Sequence, residues 1–435
     1  MDNSQYVKWF RHSSPYINAH RGKTFVLMLE GDAIADNNFA HIVQDIALLN
    51  SLGVRLVIVH GARPQIDQAL NVLNIKSQFN GDLRITDQAA LNAVRAAIGI
   101  VKSDIEARLS IGLPNTPMHG ARIRVVSGNF VTAKPKGVIN GIDFQHTGEV
   151  RRIDRRAIGQ QLDQGNIVLL SSCGYSPSGE MFNLAAEDVA TQTAISLSAE
   201  KLILMGKDEG LPSNKAEEEV ISQITTDELS QLMSRLKGEH KIHAQSCLTA
   251  VKAGIKRAHL LSHKVDGALL QELFTHEGAG TLITAGDYEQ LRQASIEDVG
   301  GILELLIPLE EQGILVRRSR EVLETEISRF KLIERDGIII ACAALYPYST
   351  ELAELACVAV SEEYRSGNRG DRLLNALSEQ AKTENMKKIF VLTTRTAHWF
   401  MERGFSEADI SALPQERQSL YNFQRNSKIF IKELI

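Results

Sequence analysis

Apolar positions along this chain gather into short continuous runs separated by amphipathic stretches. Residues 23–32, 54–59, 166–172, 201–205 and 257–261 read as buried strands. Between them, residues 39–52, 87–109, 155–163 and 186–197 carry helical spacing, and 226–254 reads as a helical hairpin. Residues 121–126 and 148–152 read as further strands and 131–135 as an edge-like strand, while 1–20 read as an amphipathic helix suited to packing. This rhythm predicts an α/β fold, a doubly wound and mainly parallel sheet with helices on both faces. Ligands in such sheets collect beyond the C-terminal strand ends. Gly31 and the turn His60-Gly61-Ala62-Arg63 fall there.

The pattern changes at 283–287. A strand at 289–294 leads into Ser295-Ile296-Glu297-Asp298, which has the form of a capping box. A helix at 319–330 is followed by two strands joined at Asp336-Gly337, a hairpin turn. Next come an apolar strand at 354–360, a helix at 371–382, a strand at 388–392, a helix at 397–403, and strand-like runs at 419–423 and 428–431. Two domains are expected, 1–285 and an α+β domain at 286–435. In the second, the strand runs into Arg365-Ser366-Gly367-Asn368-Arg369-Gly370 and then a helix. A glycine-bearing turn at a helix start suits a phosphate-bearing ligand, because backbone N–H groups and the helix dipole meet there.

The length of 435 residues fits two or three domains. A net charge of −5 argues against nucleic acid as the main partner. The polar N-terminus and the lack of a membrane-length apolar run predict a cytoplasmic protein with no membrane partner. Four cysteines without CxxC spacing suit reduced thiols, and histidines scattered singly suggest no metal site.

The turn from Arg365 to Gly370 resembles the acetyl-CoA motif of the GNAT acyltransferases, Arg/Gln-x-x-Gly-x-Gly/Ala closed by a leucine pair, here Leu373-Leu374. Asn368 stands at the middle glycine place, with Gly367 one residue early. The resemblance implies that Arg365, Asn368, Arg369 and Gly370 cradle the pyrophosphate of acetyl-CoA, and that Cys357, Val358 and Val360 contact its acetyl-pantetheine arm. Glu354 would be the general base. Phe400 takes the place where many GNAT enzymes carry a tyrosine acid, leaving Thr393 and Tyr421 as candidates. The apolar neighbours of Cys357 speak for a packed residue over a covalent nucleophile. Arg317 and Arg425, assisted by Ser427 and Lys428, would hold an acceptor with two carboxylates.

The first 285 residues resemble the amino acid kinase fold, and acetylglutamate kinases most closely. The resemblance rests on residues 57–66, 199–204 and 270–281. Phosphoryl transfer needs cations against the developing charge. Yet Met28 stands where the kinases carry a lysine, Glu30 replaces a glycine, Glu187 replaces an aspartate, and Arg63 enters the phosphate turn. A former kinase kept for sensing is expected. Positions matching the arginine site of arginine-inhibited kinases are Lys201, His259, Glu272, Gly278 and Gly280. The pairing of the two domains resembles the bacterial N-acetylglutamate synthase family. It implies acetyl transfer from acetyl-CoA to L-glutamate, feedback inhibition by L-arginine, and a homo-oligomer, a hexamer by that resemblance. Three alternatives stay open: an acetylglutamate kinase with an accessory acyltransferase domain, a non-catalytic arginine-binding regulator, and a protein-lysine acetyltransferase.

Overall fold

The computed structural model describes residues 3–81, 83–112, 115–213, 220–275, 278–286, 289–335, 337–365, 368–422 and 426–434. The chain divides into two compact units, Met1–Gly286 and Asp287–Ile435. Strands of the two large sheets are numbered here in chain order. Among the described residues no helix is long and apolar enough to cross a membrane.

The first unit is built on β1 (Thr24–Leu29), β2 (Arg55–His60), β3 (Val125–Val126), β4 (Ile167–Ser171), β5 (Lys201–Gly206), β6 (Gln223–Thr225), β7 (Arg257–Ser262) and β8 (Thr281–Thr284). Their order across the sheet is β6-β8-β7-β5-β1-β2-β4-β3. All neighbours run parallel except β7 and β8. The expected doubly wound sheet is therefore present. Its central strands are apolar at nearly every position because helices cover both faces. Met28 is one of these fully buried residues, packed with Val26, Val57 and Val59.

Several elements differ from the sequence reading. The run at 131–135 lies inside a separate four-stranded sheet, between Cys173–Tyr175 and Gly148–Ile153, so it is not an edge. Of 121–126 only Val125–Val126 is strand. The stretch taken to close the sheet pattern contributes to β8, which pairs antiparallel to β7.

The second unit has β9 (Gln290–Gln293), β10 (Phe330–Arg335), β11 (Ile338–Pro347), β12 (Leu352–Val360), β13 (Lys388–Thr393), β14 (Ser406–Ala408) and β15 (Lys428–Glu433). They lie in the order β9-β10-β11-β12-β13-β15-β14, and β12 with β13 is the parallel pair. Side chains of β11 alternate as strand geometry demands. Ala341, Ala343 and Leu345 meet Leu373, Leu374 and Leu377 of helix Arg369–Thr383. Cys342, Ala344 and Tyr346 meet Val299, Ile302 and Leu306 of helix Val299–Glu311. The capping box forms at Ser295 and Asp298. The expected helix at 319–330 stops at Glu326, and Phe330, fully buried, opens β10. The run at 419–423 supplies no strand among the described residues. Pro414 starts a short helix, Gln415–Ser419, and Ser406–Ala408 takes the place beside β15.

Candidate functional site

The centre of the second unit is a fault in β12. On one side β12 pairs with β11, but the register slips so that Cys342 faces Ala359 while Ala344 faces Ala356. One extra residue is thus inserted, a β-bulge. Cys357 absorbs it with φ +53°, a backbone region a side chain seldom enters. The bulge reverses the alternation. Ala353, Leu355, Val358 and Val360 pack on one face, whereas Ala356, Cys357 and Ala359 pack on the other. On its other side β12 pairs with β13 only through Leu352, Ala353 and Glu354. Beyond Glu354 the ladder ends, while β13 runs on to Thr393 against β15. Cys357, Val358 and Val360 border this opening. Its main-chain groups are therefore available to a thioester. Burial pushes the Cys357 thiol up to about 11, which suits packing and not nucleophilic attack.

Glu354 stands at the closed end of the opening and is buried. Its Oε2 accepts from Arg417 Nε at 2.8 Å and its Oε1 from Arg417 Nη2 at 3.0 Å. The Tyr348 hydroxyl donates to Oε2 at 3.2 Å, and burial with the adjacent Glu354 charge pushes that phenol up to about 12. A second guanidinium, Arg318, stacks on the Tyr346 ring at 5.0 Å and donates to its hydroxyl at 3.1 Å. Tyr346 in turn donates to Glu326 at 2.8 Å. Burial works against the Arg318 charge, and Cys357, Tyr346, Glu326 and Glu354 outweigh it. A buried carboxylate thus sits against Arg417 and Tyr348, and the ring on which Arg318 stacks belongs to its cross-strand partner, Tyr346.

None of these four partners was named from the sequence. Arg318 neighbours the chosen Arg317, which faces solvent. The pair is indistinguishable by composition, and only burial separates them. Arg417 sits on a polar five-residue helix that carries no pattern. Arg425 lies outside the described residues. Ser427 is buried, and its carbonyl accepts the Tyr421 hydroxyl at 2.7 Å, so that proton is already engaged. Thr393, at the end of β13, exchanges a hydrogen bond with Thr396 at 2.7 Å and accepts from its N–H at 3.0 Å.

At the helix start, Asn368 precedes the first turn. Arg365 is exposed and pairs with Glu362 at 3.4 Å. Arg369 donates from Nε to Glu289 at 2.8 Å and from Nη1 to the Tyr364 carbonyl, also at 2.8 Å. Gly370 has a packing reason to lack a side chain, since a Cβ there would come within 2.9 Å of Trp399. The structure therefore brings Glu354, Cys357, Val358, Val360 and Thr393 to one opening. The Arg369 side chain is tied to Glu289.

Two family models match most of the chain. The Amino acid kinase family covers residues 23–262, and the Acetyltransferase (GNAT) family covers 302–405. Amino-acid acetyltransferases from Ectopseudomonas mendocina and Azotobacter vinelandii are both 55% identical to it, over 433 and 435 residues and 99% of each chain. The chain belongs to the amino-acid acetyltransferase family. Among solved structures it is similar to N-acetylglutamate synthase from Neisseria gonorrhoeae complexed with coenzyme A and L-arginine. The identity is 36%, the coverage 99% of both chains and the TM-score 0.89. The same synthase complexed with coenzyme A and N-acetyl-glutamate matches at 36% identity, 99% coverage and a TM-score of 0.63.

The first unit of this acetyltransferase family member carries two further clusters. A cleft of about 520 Å³ opens at the C-terminal ends of β1 and β2, lined by Met28, Glu30, Gly31, Arg63 and Glu187 among others. The four substituted kinase positions therefore share one cleft. His243 joins Glu30 and Glu187, its Nε2 at 2.9 Å and 3.9 Å from their carboxylates. These side chains stand close enough together to hold a cation, although the sequence showed only a lone histidine. Burial opposes charge on His243, yet Glu30 and then Glu187 raise its pKa. His243 thus gives the two carboxylates a basic partner within the same cluster.

The second cluster lies at β5, β7 and the turn before β8. His259 and Glu272 are joined at 2.6 Å, and the Glu272 carboxylate also accepts from the Ala279 N–H at 2.7 Å. Gly278, at φ +72°, packs against that carboxylate, where a Cβ would come within 2.6 Å of Oε2. A Cβ at Gly280 would collide with the Leu260 carbonyl. Lys201 is buried 5.8 Å above the Phe25 ring. All five residues named for this site are thus neighbours. Burial, then Arg257, lowers Lys201 to about 7 against the pull of Glu272 and Glu200. Its folded pKa lies below its unfolded value, so between about pH 7 and 10.5 the unfolded chain binds the extra proton. Stability of this unit therefore rises with pH across that window. Lys201→Met is expected to flatten the rise and to stabilise the unit at neutral pH, read from denaturant unfolding at several pH values.

Proposed function

We propose that the second unit moves acetyl from acetyl-CoA to the α-amine of L-glutamate, and that L-arginine bound in the first unit inhibits it. On this reading the protein is a cytoplasmic enzyme at the entry to arginine biosynthesis. The observation that carries the reading is Glu354 held by Arg417 at the closed end of the β12–β13 opening, with Arg318 stacked on Tyr346, the cross-strand partner of Glu354. Amine acylation needs an uncharged nucleophile, a polarised thioester and a proton for the departing thiolate. Glu354 removes the ammonium proton. Main-chain N–H groups at the bulge around Cys357 and Val358 polarise the carbonyl. The start of helix Arg369–Thr383, with Arg365, Asn368 and Gly370, meets the pyrophosphate. Thr393 suits the thiolate side better than Tyr421, whose hydroxyl already donates to the Ser427 carbonyl.

Two carboxylates on the acceptor call for two guanidiniums. Arg318 and Arg417 provide them, with Arg425 and Ser427 as further contacts. Supporting this choice, the Neisseria gonorrhoeae synthase was solved with N-acetyl-glutamate. In the first unit Lys201, His259, Glu272, Gly278 and Gly280 cluster around a buried carboxylate suited to a guanidinium. The same synthase was also solved with L-arginine. Inhibition requires that arginine favour one of two states. Subunit packing of a homo-oligomer, a hexamer by resemblance, is one such variable. The N-terminal helix Asn3–His20 exposes Val7 and Phe10 as contacts for it.

An acceptor panel tests the substrate. L-Glutamate should give a kcat/KM roughly 100-fold or more above glutamine, lysine or peptide lysine, because an unmatched, half-buried guanidinium is costly. Equal rates with glutamine would reject the two-carboxylate clamp.

A further inference from the structure

Resting on the reading of Glu354 as base, we propose that Arg417 is a latch on that base, opened by the acceptor's own carboxylate. Both Glu354 oxygens are occupied in the structure. Arg417 takes Oε2 and Oε1 in a two-pronged contact at 2.8 Å and 3.0 Å, and Tyr348 adds a third donor at 3.2 Å. A carboxylate oxygen offers about two lone-pair directions. Little of Glu354 is left to receive a proton from an amine or from water.

An α-amino acid arrives as a zwitterion. Its carboxylate can replace Glu354 on the Arg417 fork, and its ammonium can replace Arg417 on Glu354. One ion pair becomes two, and no buried charge is left alone during the exchange. The helix carrying Arg417 is a single short segment, Gln415–Ser419, begun by Pro414. The guanidinium can therefore swing without unpacking a long element. Arg318, stacked on Tyr346 and tied to its hydroxyl, remains fixed as the second cation.

The latch has a purpose in the empty enzyme. A carboxylate beside a bound thioester would also activate water. Water oxygen would bond to the thioester carbon and the C–S bond would break. The proton taken by Glu354 would pass to the thiolate, giving CoA and acetic acid, which ionises. Arg417 suppresses this hydrolysis until an acceptor is present.

The experiment measures CoA thiol released from acetyl-CoA by the full-length protein, with and without L-glutamate. Arg417→Gln should raise acceptor-free release by about tenfold or more, part of the roughly 10²–10⁴-fold that a general base supplies. It should also raise the glutamate KM by roughly 100-fold, as loss of a charged carboxylate partner does. Arg417→Lys, which keeps the charge but not the fork, should fall between the two. Arg417→Gln combined with Glu354→Gln should return hydrolysis to the wild-type level. A merely structural lesion would lower both activities and weaken CoA binding, which isothermal titration reads separately. Acceptor-free release at the wild-type level in both Arg417 variants, with CoA binding intact, would overturn the latch. So would hydrolysis that survives the double substitution. Full glutamate-dependent turnover in Glu354→Gln alone would instead overturn the base itself.

Discussion

Glu354→Gln should lose roughly 10²–10⁴-fold in kcat for glutamate acetylation, the share that a placed general base contributes. Its KM for glutamate should change far less than kcat, because the lost pairing with the acceptor ammonium is offset at Arg417. The reason lies in the ion pair. The substituted amide keeps the shape of the side chain but not the charge that competes for Arg417, so the acceptor carboxylate meets a less occupied guanidinium. A residue that only bound substrate would show the reverse split, with KM rising and kcat kept. Affinity for CoA should be unchanged, because the helix start and the β12 bulge lie beyond Glu354 along the chain. Steady-state kinetics and CoA titration of the one variant read all three expectations.

The second large effect is expected in the first unit. Glu272→Ala should abolish inhibition by L-arginine and lower the unit's stability by about 1–3 kcal/mol, the cost of leaving buried hydrogen-bond partners unsatisfied, since burial holds the His259 imidazole below its ordinary pKa. Glu272 is nearly enclosed and ties together three elements. Its carboxylate holds His259 on β7 and the Ala279 N–H in the turn, while Gly278 packs on its surface. Glu272→Gln separates the two consequences. The amide keeps an oxygen for Ala279, so much of the fold should survive, but it offers no charge to a guanidinium. Inhibition lost with stability kept would assign the carboxylate to ligand recognition. Inhibition kept in Glu272→Gln would remove Glu272 from the arginine site.

Much of the fold was legible because periodicity reports burial. The central strands of the first sheet are apolar on both faces, and helices such as Arg155–Asp163 and Ala186–Leu197 begin and end where the pattern says. The small sheet was harder. Its strands at Cys173–Tyr175 and Met181–Asn183 are three residues long and carry no usable period. The strand at 354–360 was legible, but its bulge was not. A cysteine at φ +53° leaves no mark in sequence, where glycine or asparagine would have announced it. The extra residue nevertheless decides which side chains share the face of Glu354.

Charged partners were legible only where a motif named them. Arg417 is more than sixty residues from Glu354, and His243 is more than two hundred from Glu30. Neither has a local reason to be singled out, since each acts through a distant partner. Arg317 and Arg318 show the limit most plainly. Adjacent and chemically equal, they part only when the fold lays Arg318 on Tyr346 and leaves Arg317 to solvent.

The central claim is tested most directly by CoA release from acetyl-CoA in the presence of L-glutamate, measured with and without L-arginine. The account predicts glutamate-dependent release that arginine suppresses, with N-acetylglutamate as the product. No glutamate-dependent release by the purified full-length protein would contradict it.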